Sequence, residues 1–556
     1  MSRDFHKVAE QIADDLLASD PELAGWCGDH RFDDQLHDWS ETAVGARTGR
    51  LRESADVLHE IDADGLTAED AVDLQLLSSA VDARLFALTE TREHEWNPLV
   101  HNPGMLFHKL VAREFAPADE RLTSAIARLR AVPDALATAE TILADTPSIH
   151  AETAAGQIEG TATLIRGELA ALAARVPSLS GEFGAAQAGA LAAIDRHVAY
   201  LRDRARQPGR DPRLGRRMWE AKLWHSLDSD LTAGVILDRA QARLAEITGQ
   251  ITELAAELTG ERDPAAALAT LARDHPTDDT IVPLAQKSLG SVSAFVLEHG
   301  LVSLVDDVVE VVEMPEFARG VAVAYCDAPG RLETADLPTF YAIAPTPAGW
   351  PAERVESFYR EYNNHMVHNL TVHEAIPGHF LQLAHARRFR GSTRTRALCS
   401  SGTFIEGWAV YAEEFMTAAG FGGPAVRMHQ LKMQLRMIIN AILDQLVHCE
   451  DATEADAMAM MTGPGLQEEG EAAGKWRRLL LTSAQLSTYF VGYTEMRAIA
   501  DARPPGTTAA AWHDEMLAHG SPPPRHLAAL LGVRARRRGA ASGAPAPDRL
   551  ALDRSR

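Results

Sequence analysis

Two short strings carry the residues able to do chemistry. His373-Glu374-Ala375-Ile376-Pro377-Gly378-His379 holds two imidazoles with a carboxylate beside the first, and Glu406-Gly407-Trp408-Ala409-Val410-Tyr411-Ala412-Glu413 brings further carboxylates. Two histidines and a glutamate as ligands, with another glutamate adjacent, make the donor set of a catalytic zinc site. The histidines are six positions apart, and an unbroken helix would turn the second roughly 240° from the first, too far for both to reach one ion. Pro377 removes an intrahelical donor and Gly378 tolerates unusual dihedrals, so the pair predicts a bulge that swings His379 back.

Glu374, one position from a ligand, is expected to face the metal's water as general base, taking its proton and returning it to the leaving amine. Glu406 is the expected third ligand. The apolar Trp408, Val410, Tyr411, Phe415 and Met416 around it suit a buried helix, where a carboxylate without a cation would be costly. Glu413 and Glu414 compete for that role, and Glu413, seven positions on and near the same face, is also placed to hydrogen-bond a ligand imidazole from behind. His365, His368 and His385 flank the site and could stand in for His379 if the bulge did not form. The chemistry expected is zinc-dependent hydrolysis of an amide in a peptide or small peptide-like substrate. The alternatives are a zinc hydrolase of a non-peptide metabolite, or a non-catalytic helical binding protein with a structural, four-ligand metal.

The elements that must position these residues are mostly helical. To about residue 300, alanine and leucine recur at helix spacing, as in Leu122, Ile126 and Leu129, then Leu191, Ile194, Val198 and Leu201. Turns are expected at Asp20-Pro21, Asn102-Pro103-Gly104, Pro147, Pro177 and between Gln207 and Pro212. Between about 303 and 345, three β-branched or aromatic runs, Val308 to Val312, Val321 to Tyr325 and Thr339 to Ala344, predict a small antiparallel sheet. A free edge of that sheet would hold an extended substrate by main-chain hydrogen bonds, with Tyr341 as a substrate-binding side chain.

Beyond Glu414 the helical pattern returns. Leu435 to His448 is apolar and carries Asp444 and His448 four apart. His448 and Tyr489 are candidate donors to the oxyanion of a tetrahedral intermediate, and Asp444 a candidate to orient His448 or a ligand. Arg497 is a candidate partner for a substrate carboxylate, or else for a local glutamate. The expected organisation is one mainly α domain over 1–533, large, helical and grooved, followed by a disordered basic tail over 534–556.

Composition narrows the function classes. The 556 residues carry a formal charge of −24, which argues against nucleic acid as a partner. Four scattered cysteines without metal or disulfide spacing point to a reducing compartment. No secretory signal and no membrane-length apolar run is read, so the expected setting is cytoplasmic, with no membrane partner.

The strings His373-Glu-Ala-Ile-Pro-Gly-His-Phe-Leu-Gln382 and Glu406-Gly-Trp-Ala-Val-Tyr-Ala-Glu413 closely resemble the signatures of a bacterial family, domain of unknown function 885. Members look like relatives of the thermolysin-clan zinc metallopeptidases, and the resemblance implies a mostly helical, grooved fold similar to the carboxypeptidase Taq type. It covers most of the chain. It also picks out Asp444-x-x-x-His448, the segment from Gln485 to Gly492, and Trp512-His513 through Gly520-Ser521-Pro522. The chain departs from the family pattern in having Phe380 where a second histidine is common, and Ser483-Ala484 where Pro-Gly is usual.

Overall fold

The computed structural model describes residues 4–315, 319 and 322–533. The expected tail at 534–556 lies outside the described residues, as does Val321 in the second predicted strand. The fold is mainly α. The helices used below, numbered in chain order, are α1 (Ala118–Ile142), α2 (Ser148–Arg166), α3 (Ser180–Ala205), α4 (Ala233–Thr259) and α5 (Ile281–His299). A three-stranded sheet follows, β1 (Val309–Glu313), β2 (Ala324–Asp327) and β3 (Thr339–Ile343). Next come α6 (Asn364–Glu374), α7 (His379–Arg388), α8 (Gly402–Ala418), α9 (Gly423–Cys449), α10 (Glu469–Leu481) and α11 (Ser487–Asp501).

The spacing that predicts helices in the first half also says which face they bury. Leu122, Ile126 and Leu129 of α1 pack with Ile194, Val198 and Leu201 of α3 in one apolar cluster that also takes in α2. The predicted breaks serve as helix boundaries: Pro21 opens the second helix of the chain and Pro147 precedes α2. A larger cluster, containing Trp219, Tyr341, Phe404, Trp408 and Phe490, joins the sheet to α4 to α9 and α11.

The sheet is mixed, not wholly antiparallel. Its order is β1-β3-β2, with β1 parallel and β2 antiparallel to β3. The most apolar strand takes the centre: Tyr341, Ala342 and Ile343 are buried, and β1 and β2 flank it on either side. Central placement corrects the expectation for Tyr341. Its side chain is fully buried, with the hydroxyl 3.3 Å from Thr371 Oγ1 of α6, so it braces the helix carrying His373 and offers nothing to a ligand in solution.

Candidate metal centre

The two imidazoles meet because one helix ends and another begins between them. Asn363 caps α6 by accepting from the His365 and Met366 amides at 3.1 and 3.3 Å, satisfying donors the first turn leaves free. The helix stops at Glu374, the chain turns through a cis Ile376–Pro377 bond, and α7 starts at His379. The expected bulge is thus a full break between two helices. Gly378 makes it compact: its amide donates to Val372 O at 2.9 Å, and a Cβ there would lie 1.9 Å from His373 O. Trp408 of α8 donates its indole N–H to Pro377 O at 2.8 Å, tying the turn to the helix that carries Glu406.

The rings of His373 and His379 stand 4.6 Å apart, nearly perpendicular. Glu406 Oε2 lies 3.5 Å from His373 Nε2 and 3.4 Å from His379 Nε2. Two donors each about 2.0–2.1 Å from a tetrahedral zinc would be separated by roughly 3.3 Å, so the spacing suits a single ion of that size. Among the described residues these three form the only group of at least three histidine, cysteine or acidic side chains so arranged, with ligand atoms all within 4.8 Å of one another. Glu406 Oε2 is a buried atom without a hydrogen-bond partner, which fits a carboxylate oxygen free to bind a cation. The Glu406 side chain keeps 23% exposure, so the cluster has a solvent side.

The surrounding groups orient the donors. Glu413 Oε1 sits 2.6 Å from His373 Nδ1, and Asn369 Nδ2 donates to Glu413 Oε2 at 2.7 Å. With the proton of His373 on Nδ1, its Nε2 lone pair faces Glu406 and His379. Burial opposes charge on His373, but the neighbouring carboxylates of Glu406 and Glu413 hold its pKa well above the usual histidine range. Burial likewise opposes charge on Glu406, and the neighbouring imidazoles of His373 and His379 overrule it, lowering its pKa. The carboxylates thus favour positive charge beside them, in the place a dication would take. Glu374 is buried beside it, and its pKa is raised, chiefly by burial and also by Glu406, against the opposing influence of His373, His379 and the Cys326 backbone of β2.

Tyr489 of α11 reaches the same region. The charge of Glu406, then burial, pushes its phenol up to about 12, with Arg478 of α10 opposing that rise. α8 and α11 can approach this closely because glycines face each other: a Cβ on Gly407 would lie 2.3 Å from Gly492 C, and one on Gly492 2.1 Å from Thr403 O. Asp444 of α9 pins the start of α11. Its carboxylate accepts from the Ala484 amide at 3.0 Å, Trp219 Nε1 at 3.1 Å, and the Ser487 amide and hydroxyl at 3.1 and 2.9 Å. It therefore positions the helix carrying Tyr489, in place of the expected hydrogen bond to His448 or to a ligand.

Other expected site residues lie elsewhere. His448 Nε2 is 3.0 Å from both Leu479 O and Thr482 O, and its Nδ1 accepts from the Leu214 amide at 3.4 Å. With both ring nitrogens bonded to backbone, it has no donor left for an oxyanion. Arg497 pairs with Glu414 and, at 3.1 Å, with Asp501, which is the local bridge that was the alternative to a substrate contact. His368 pairs with Ser288 and His365 faces Asp274; neither joins the cluster, nor does His385. The closing motif works from behind: His513 Nε2 lies 3.0 Å from the Tyr411 hydroxyl, and Ser521 bonds Gln382 of α7. Sequence reasoning missed Asn369, though it stands one helical turn before His373.

Residues 21–531 match the family described as bacterial protein of unknown function, DUF885. No curated protein matches the chain. Among solved structures, a candidate lipoprotein of unknown function from Shewanella oneidensis superposes with a TM-score of 0.80 at 26% identity, over 95% of this chain and 100% of that one. A candidate lipoprotein from Colwellia psychrerythraea gives 0.78 at 16% identity, over 95% and 98%. The M32 carboxypeptidase from Deinococcus radiodurans R1 gives only 0.40 at 13% identity, over 95% and 97%.

Proposed function

This chain belongs to the bacterial family of unknown function DUF885, and we propose that it is a metal-dependent hydrolase cutting an amide bond in a peptide or peptide-like substrate, with zinc as the ion. The observation that carries this reading is the convergence of His373 Nε2, His379 Nε2 and Glu406 Oε2, at separations of 3.4–3.5 Å from the carboxylate oxygen, beside a second, buried glutamate, Glu374. These three atoms would hold zinc, which would supply Lewis acidity to the site. Glu374, buried beside the cluster, takes the proton from the attacking water and hands it to the leaving amine. Glu413 holds His373 in the tautomer that presents Nε2. Tyr489 keeps its proton and donates to the oxygen on which negative charge develops.

Three protein donors with a solvent side favour catalysis over a structural ion, which would ask for a fourth protein ligand. A surface of net charge −24 keeps nucleic acid out of the proposal, and among the described residues no helix is long and apolar enough to cross a membrane. Four free cysteines suit a reducing, cytoplasmic setting. The two structural relatives described as lipoproteins point outward instead, and fractionation of the native host decides between the two.

The test is Glu374→Gln. Turnover of a peptide library should drop by about 10²–10⁴-fold while bound metal, measured by elemental analysis, stays as in the native protein. Turnover that survives in the metal-loaded variant removes the general base from this scheme.

A further inference from the structure

Two of the helices that carry the donors are bonded near their starts by one residue far downstream in the chain. His379 opens α7, and Glu406 lies in the second turn of α8. Gln382, one turn after His379, is 1% exposed, and its amide nitrogen donates to the Ser521 hydroxyl. Its amide oxygen is buried and unbonded, so among the described residues Ser521 is the one hydrogen-bond partner of that side chain. The Ser521 carbonyl accepts from the Ser401 amide at 3.3 Å. Ser401 in turn caps α8, its hydroxyl accepting from the Phe404 amide at 3.2 Å.

Ser521 is fixed more firmly than a packing residue needs. It is buried and takes a left-handed backbone at φ 64°, which a residue with a Cβ avoids unless its surroundings impose it. Here Arg331 Nη1 donates to Gly520 O at 3.1 Å and Arg396 Nη1 to His519 O at 2.7 Å, with Arg396 itself anchored by Asp73 at 2.7 Å. Three prolines, Pro522 to Pro524, restrict φ immediately after it. Gly520 packs so closely on Phe389, at the end of α7, that a Cβ there would lie 2.9 Å from the ring. The turn is thus a rigid support under α7, and Ser521 extends one group from it to each helix. A helix is stiff, so a shift at its first turns carries the side chains there with it. Resting on the metal centre of the reading above, we propose that Ser521 is a positioning residue for that centre. It sets the separation of His379 from Glu406 and so the fit of the three donors to one ion.

The experiment is a double-mutant cycle of Ser521→Ala and Gln382→Leu in the full chain. Its readouts are zinc affinity by competition with a chelating dye, the visible spectrum of the cobalt-substituted protein, which reports ligand geometry, and urea denaturation of the metal-free chain. Each single variant should bind zinc about 3- to 10-fold more weakly, the size of one hydrogen bond, and shift the cobalt bands. The double variant should lose no more than the larger single loss, because both changes break the same bond. Ser521→Gly also removes the hydroxyl but relieves the left-handed backbone. It should weaken zinc binding as Ser521→Ala does, at a urea midpoint no lower than that of Ser521→Ala. Affinity and spectrum unchanged in the single variants of a zinc-binding chain, or losses that add in the double variant, overturn the assignment and leave the metal centre standing. A native chain that takes up no zinc overturns both.

Discussion

Glu413 shows how much one side chain behind the ligands can decide. It carries the tautomer of His373 and is itself held by Asn369, so Glu413→Ala removes the acceptor and frees the ring to turn. Zinc affinity, read by competition with a chelating dye, should fall about 10–100-fold; unchanged affinity would mean that Glu413 is only a packing partner. This residue was readable from the sequence because it lies two helical turns from Glu406, on the same face. His448 and Tyr341 were misread for the opposite reason, and of the two readings of Arg497 the local bridge is the one found. Their types suit a site, but what each touches is set by chain segments remote in sequence: Leu214 and Leu479 for His448, Glu414 for Arg497, Thr371 for Tyr341. Spacing along one helix carries no information about such partners. Ala484 is a related case, since it occupies a left-handed conformation at φ 63° where the resembled family usually has glycine; the bond from its amide to Asp444 helps hold that turn in place of the missing conformational freedom.

The helices that present the site are held at two points where only glycine fits, the turn at Gly378 and the crossing of α8 and α11 at Gly407 and Gly492. Gly492→Ala would push a methyl group into Thr403 O and the facing backbone, forcing the two helices apart and moving Glu406 relative to Tyr489. The expected outcome is a loss of about 1–3 kcal/mol in chemical denaturation together with weaker metal binding. A variant of native stability and affinity would show that the crossing has slack. Proline and glycine between the histidines announced a distortion but not its form, since either a bulge or a full break brings the rings together. The sheet was read as three strands from its β-branched runs, yet strand order and direction depend on which run is most deeply buried, and that is decided by the helices packed on β3.

Over the whole chain, residues distant in sequence close around the centre: His513 and Ser521 near one end back α7 and α8, and Glu495 of α11 receives the Ser229 hydroxyl at 2.6 Å. Burial, with a contribution from Asp230, raises the Glu495 pKa from 4.5 to about 7, against the opposing influence of Arg525 and Arg239. A carboxyl that binds its proton more tightly when folded favours the fold at low pH. That contribution is complete below about 4.5, falls as pH rises through about 7, and amounts to roughly 3 kcal/mol. Denaturation at pH 5 and pH 8 should show this loss in the native chain and not in Glu495→Gln; equal pH slopes would show that the carboxyl titrates normally. The helical fold class was legible throughout from the 3.6-residue spacing of its apolar residues, since that pattern is local; the pairing of distant segments was not. The claim on which the account depends is that His373, His379 and Glu406 share one cation. Elemental analysis of zinc-dialysed protein tests it most directly: about one zinc per chain in the native protein and almost none in His379→Ala of native fold is the result predicted, and equal zinc in both would contradict it.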